Sequence, residues 1–160
     1  MLVVCAGNDL AADDGAGLAV CDRLSRERLP EEVVIERAGC IGIGLLDRLN
    51  GQRLLVVVDA VRFGALPGTV HVLDWVSLPG AAQAAVSAHG LHLREAVEVA
   101  RRLDPASAPR RAVLVGIEGS CFDRLGAGLT PAVAAAVEGA ARAVLRLVGE
   151  AAEAGDDSYV

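Results

Sequence analysis

Three short, almost uninterrupted apolar runs constrain this chain most: Leu2–Ala6 (LVVCA), Arg53–Val58 (RLLVVV) and Arg111–Ile117 (RAVLVGI). Apolar runs without alternation are strands buried on both faces, and such strands occur where helices cover both sides of a parallel sheet. Two further segments read as strands, Glu32–Glu36 and, after the Pro67-Gly68 turn, Thr69–Trp75. Helical signals separate them. Asp13 or Asp14 caps a helix reaching about Arg28, with Leu18, Cys21 and Leu24 on its inner stripe and Pro30 beyond it. A short helix over Ile41–Leu49 stops at Asn50-Gly51, and Ser87 caps another running to Leu103. Thr130-Pro131 opens the last helix with a capping hydroxyl and a proline at the first helical position; Val133, Val137, Val144 and Val148 form its buried stripe. The expected fold class is α/β: three layers, α/β/α, around a twisted, mostly parallel five-stranded sheet. One domain spans residues 1–150, and the acidic tail 151–160 is expected to be disordered, with fraying from Gly149 onward.

Composition narrows the function. Hydrophobic residues make up 53% of the 160 residues but aromatics only 2%, so Val, Leu, Ile and Ala must build the core. The net charge is −6 and no basic stripe exists, which argues against a nucleic-acid partner. Every Lys/Arg position is Arg, which excludes a Walker-type phosphate loop and Schiff-base chemistry. Cys5, Cys21, Cys40 and Cys121 lie far apart, with no C-x-x-C pair to suggest a zinc site or a disulfide framework. The start MLVVCAGND lacks the basic lead of a signal peptide, and no segment approaches the roughly 20 apolar residues of a membrane span. A cytoplasmic protein with no membrane association is expected.

In open α/β sheets, ligands bind beyond the carboxyl ends of the strands, where the strand order reverses. Two segments put acids there: the loop and helix start from Gly7 to Gly17 (GNDLAADDGAG), and Asp59 directly after Val56–Val58. In the common 2-1-3 order these strand ends are neighbours, and Asp14 and Asp59 face one crevice. Asp14 at a helix N-terminus is held ionised by the helix dipole, and Gly15 and Gly17 would let a bulky partner approach the backbone. The plain alternatives are helix capping for Asp13 and Asp14 and a loop-starting carboxylate for Asp59. His89 sits at or before a helix start with His92 three residues on, whereas His71 falls within a strand and reads as structural. Two carboxylates and an imidazole suit a hard-to-borderline metal with open coordination positions. A serine triad lacks its G-x-S-x-G elbow. A dinucleotide fingerprint fails because one Gly7 stands where three glycines are needed, with Asp13-Asp14 opposing pyrophosphate.

Together, GNDLAADDGAG, VVVDAVRFGALPGT, SAHGLHLREAV and VGIEG followed by GLTPAV resemble the [NiFe]-hydrogenase maturation endopeptidases across nearly the whole chain. The resemblance implies a single maturation-protease domain that removes a C-terminal extension from a hydrogenase large-subunit precursor after nickel insertion. It implies that Asp14, Asp59 and His89 are the catalytic and metal-contacting positions, with nickel carried by the precursor. Apart from the resemblance, Asp13 and Glu118 are candidates for assisting with protons, with neither assigned the role by the sequence. Gly39, Cys40, Ile41 and Gly42 resemble the substrate-recognition loop, whose other reading is a simple strand-to-helix turn. The sequence departs from the family at Cys5 in place of a Gly, at Ala38 and Cys40 in place of a Gly and a Thr, and at Gly119 in place of a Pro. A non-cleaving, nickel-dependent checkpoint or chaperone for the precursor would keep the same three residues.

Overall fold

The computed structural model describes residues 1–39, 42–77 and 91–156. Five strands, β1 (Leu2–Ala6), β2 (Val34–Ala38), β3 (Leu54–Val61), β4 (Val70–Asp74) and β5 (Arg111–Glu118), form one sheet in the order β2-β1-β3-β5-β4. All pairings are parallel except β4 with β5. Among the described residues there are three helices, α1 (Ala16–Leu24), α2 (Leu91–Leu103) and α3 (Pro131–Asp156), and short 3-10 turns at Ala12–Gly15, Gly42–Arg48 and Trp75–Ser77.

The apolar runs become the central strands for the reason their composition suggests. Every residue of β1 and β3 is buried, and all of β5 except Arg111. Alternation divides their side chains between two layers. Val3, Cys5, Val56, Val58, Val113 and Val115 pack under α1 and α3, against residues such as Val20, Leu24, Val133 and Val144. Leu2, Val4, Leu55, Val57 and Leu114 pack on the opposite face, with Leu45 of the 42–48 turn, Leu49 just after it, and Ala96 and Val97 of α2. The expected α/β architecture and the adjacency of β1 and β3 are therefore present.

Element ends differ from the sequence reading in informative ways. The first helix stops at Leu24 rather than near Arg28, because Arg26 and Arg28 are exposed and contribute nothing to its inner stripe. The segment read as a helix from Ile41 is a 3-10 turn over Gly42–Arg48. Strand β3 runs on to Val61, so Asp59 lies inside a strand and not just beyond one. Helix α3 continues to Asp156, past the expected fraying at Gly149, and Ala151 packs against the core.

Candidate active site

β1 leads into a loop that returns at once to the sheet. Gly7 adopts φ +142, and a Cβ there would stand 2.1 Å from the Asp14 carbonyl oxygen. The Asn8 amide donates to that same oxygen at 3.1 Å, and the Asp14 amide donates to Ala11 O at 3.0 Å. Helix α1 then starts against the carboxyl ends of β1 and β3: a Cβ on Gly17 would lie 2.2 Å from Ala6 O and 2.5 Å from Val58 O. Gly17 is spent on this internal contact and does not open the backbone to a partner as expected from sequence, whereas Gly15 packs against Asp9 and lines a smaller cavity with Asp9, Leu18 and Arg37.

Asp14 is half-buried and lines a cavity of about 560 Å³ with Gly7, Asn8, Asp9, Leu18, Arg37 and Gly39. Of the segment 39–42, Gly39 therefore borders the same cavity as Asp14, and its carbonyl accepts from the Gly7 amide at 3.3 Å. Gly42 begins the following 3-10 turn, while Cys40 and Ile41 lie outside the described residues. Arg37, which sequence reasoning passed over, reaches the cavity from the end of β2. Its guanidinium donates to Asp22 at 2.7 Å, Asp9 at 3.4 Å and Leu18 O at 3.4 Å. The strand read from sequence ends at Glu36, and only the register of β2 with β1, which pairs Arg37 with Cys5, brings this side chain to the cavity.

Asp59 is fully buried in β3, where its Oδ1 accepts from the Ala60 amide at 2.8 Å. Alternation places it on the face of Val57 and Val61, the face covered by α2, and it is not among the residues lining the Asp14 cavity. Asp14 thus lies on the 3-10 turn that follows β1, and Asp59 lies near the carboxyl end of the adjoining strand β3. His89 lies outside the described residues, and His92 falls in the first turn of α2. Among the described residues no three of His, Cys, Asp and Glu are grouped to hold an ion. The carboxylates of Asp14 and Asp59 are hard oxygen donors by their chemistry.

Asp13 does not cap α1, whose N-cap is Gly15 with no side-chain hydrogen bond. The Asp13 side chain is fully buried and turned to the segment between β5 and α3. Oδ2 accepts from the Ser120 and Cys121 amides, both at 2.9 Å, and Oδ1 accepts from the Thr130 amide at 2.7 Å. The Ser120 and Thr130 hydroxyls donate to Oδ2 at 3.3 and 3.2 Å, so Thr130 spends its hydroxyl on Asp13. Burial pushes this carboxyl up, but the amides of Ser120, Thr130 and Cys121 outweigh it and hold the group below the ordinary carboxylate value.

Glu118 is also structural in its contacts. Its carboxylate accepts from the Phe63 amide at 2.9 Å, the Gly64 amide at 2.8 Å and His71 Nε2 at 3.0 Å, closing the β3–β4 connection. His71 is thereby explained as a strand residue paired to a buried acid. Gly119 makes room for Phe122: a Cβ there would stand 2.4 Å from the Phe122 ring, over which Arg62 stacks at 4.1 Å. Cys5, the other departure near the site, is buried beneath α1; burial, and Cys21 beside it, push its thiol upward and keep it protonated.

Residues 18–147 match the hydrogenase maturation protease family. A Methanocaldococcus jannaschii protein provisionally named a hydrogenase maturation protease is 31% identical, over 91% of this chain and 94% of its own length. The hydrogenase expression/formation protein HupD of Rhodobacter capsulatus is 31% identical over 86% of this chain and 66% of its own. Among solved structures, the hydrogenase maturating endopeptidase HybD from E. coli superposes with a TM-score of 0.76 at 26% identity, covering 93% of this chain and 91% of that one. With its strand order, the acid-bearing turn after β1 and a match over most of its length, the chain belongs to the hydrogenase maturation protease family.

Proposed function

We propose that this protein is a nickel-dependent endopeptidase that removes the C-terminal extension of a [NiFe]-hydrogenase large-subunit precursor, with Asp14, Asp59 and His89 contacting the nickel that the precursor carries. The observation that supports this reading best is the placement of Asp14 and Asp59. One lies on the turn after β1 and the other near the carboxyl end of the neighbouring β3, with the start of α1 pressed onto both strands through Gly17. That is where an open α/β sheet takes its ligands. A divalent ion in such a site polarises a carbonyl and lowers the pKa of water. The chain's own part is to supply anionic donors and to seat the precursor's polypeptide in the cavity beside Asp14. The Gly39–Gly42 segment borders that cavity through Gly39 and serves as its recognition loop. Among the described residues no helix is long and apolar enough to cross a membrane.

The test is cleavage of nickel-loaded precursor by His89→Ala and His92→Ala, with folding followed by circular dichroism. His89→Ala should leave the precursor at full mass, and His92→Ala should release the C-terminal peptide at nearly the wild-type rate. Normal cleavage by His89→Ala would falsify the assignment. Wild-type protein that binds the loaded precursor without any mass loss would identify a checkpoint rather than a protease.

A further inference from the structure

Asp13 and Asp14 are adjacent in sequence but belong to different parts of the molecule. Asp14 faces the cavity, whereas the Asp13 carboxylate is fully buried and accepts five hydrogen bonds from Ser120, Cys121 and Thr130. A sixth bond runs along the backbone, from the Asp13 amide to Cys121 O at 2.9 Å. The partners stand 107–117 residues away in the chain. This is far more fastening than a four-residue turn needs, and it is aimed outward from the turn, at the segment joining β5 to α3.

The turn it holds is one that the local sequence resists. Ala12 has φ +46, the left-handed region that a residue with a Cβ seldom occupies. Such a conformation persists only when the surroundings over-determine it. Here the surroundings are Asp13 on one side and, on the other, the bridge of Ala11 with Leu125 and the Gly126 amide on Leu10 O at 2.8 Å. With Ala12 fixed, the Asp14 backbone has one course: its amide meets Ala11 O and its carbonyl meets the Asn8 amide. Gly119 shares in the arrangement, since a Cβ there would come 3.2 Å from the Asp13 Cβ.

We infer that Asp13 is a positioning residue, which sets the direction of Asp14 by clamping its turn to the β5–α3 segment, residues 119–130. That segment is then part of the active-site machinery although none of its residues reaches the Asp14 cavity. The inference rests on the reading of Asp14 as a nickel-contacting group. It adds that the geometry of Asp14 is imposed from outside its own turn.

Asp13→Asn keeps the size of the side chain but replaces one accepting oxygen by an NH2 that faces N–H donors. Compare it with Leu147→Ala, a core truncation in α3, as a variant destabilised without touching the turn, and with Asp14→Ala. All are assayed on nickel-loaded precursor at a temperature where circular dichroism shows them folded. Asp13→Asn should lose roughly 10- to 100-fold in kcat with KM within about twofold, as for a misplaced group. Exchange of the Asn8 and Asp14 amides with deuterium should accelerate in the same variant. Leu147→Ala should keep both kcat and the slow exchange of those two amides. Should Asp13→Asn not fold, Thr130→Ala, which removes one hydroxyl bond, carries the same test with a smaller kcat loss. A folded Asp13→Asn with wild-type kcat and wild-type exchange at Asn8 and Asp14 overturns the inference, as does a kcat loss in Leu147→Ala that matches its own. If Asp14→Ala is inactive while Asp13→Asn is normal, only the positioning role falls; if Asp14→Ala cleaves normally, the proposed site falls and the positioning role with it.

Discussion

Two residues near the candidate site work by what surrounds them rather than by what they present to solvent. Gly17 has no room for a Cβ, because both nearest atoms are backbone carbonyl oxygens that cannot move without moving β1 and β3. Gly17→Ala should therefore cost about 2 kcal/mol or more as overpacking, read from the urea midpoint, and should lower cleavage with it by lifting the turn of Asp14. Asp13 is the electrostatic counterpart. Removing its carboxylate leaves three backbone amides short of an acceptor, and Asp13→Ala should destabilise the protein by about 2–3 kcal/mol, since part of the segment around Ser120 can recruit water. The pH dependence follows from the direction of its shift. A carboxyl held below its ordinary value in the folded state contributes its full stability above the unfolded pKa, about pH 4, and loses it as pH falls through the lower folded value. Urea midpoints of Asp13→Asn should consequently fall less steeply than those of the wild type in the acid range below about pH 4.

Among the elements, α3 packs on the sheet partly through small side chains. Ala140 and Ala141 are fully buried against the sheet with Val133, Val144 and Val148, so the helix lies close to β3 and β5. Ala140→Leu should push it outward at a cost of about 1–3 kcal/mol, whereas Ala134→Leu, at an exposed position of the same helix, should change the denaturation midpoint little. α3 also joins α1 through Arg23, whose guanidinium reaches both oxygens of Glu138 at 2.6 and 3.3 Å. β4 is the odd strand in direction, antiparallel to β5 at the sheet's edge, and it places His71 opposite Gly116 and beside Glu118.

At the scale of the whole molecule, the sheet order brings β1 and β3 together and α1 down upon both. An ion held by Asp14 and Asp59 would bind the folded state and not the unfolded one, in which the two acids belong to distant chain segments. Saturation at a hundred times its dissociation constant stabilises by about 2.7 kcal/mol, which for a chain of this size is a rise in Tm of roughly 5–10 °C. Differential scanning calorimetry should show this rise for nickel-loaded over nickel-free precursor in the wild type and lose most of it in Asp14→Ala. Nickel binding should also weaken as pH falls and His89 or a carboxylate takes up a proton, because the ligands must be deprotonated to bind.

How much of this was legible in the sequence depends on the range of the interaction involved. The bounds of β1 match the apolar run from Leu2 to Ala6, and the alternation of β3 already puts Asp59 on the face of Val57 and Val61. Patterns of burial are written locally, since each side chain's partition between core and water depends on its own chemistry and on period 2 or 3.6. The family resemblance, too, is a property of ordered motifs. Which helix layer covers Asp59 depends on the path of the connections, however, and no local pattern shows that. Asp13 and Asp14 are chemically identical neighbours, and nothing within reach of either in the sequence says that one is buried under Ser120, Cys121 and Thr130 while the other faces a cavity. The sequence by itself determined the strands, the layers and the acids that could serve. Tertiary structure decided which acid faces the cavity and which holds it in place, because a buried carboxylate's role is set by donors that only the folded chain brings to it.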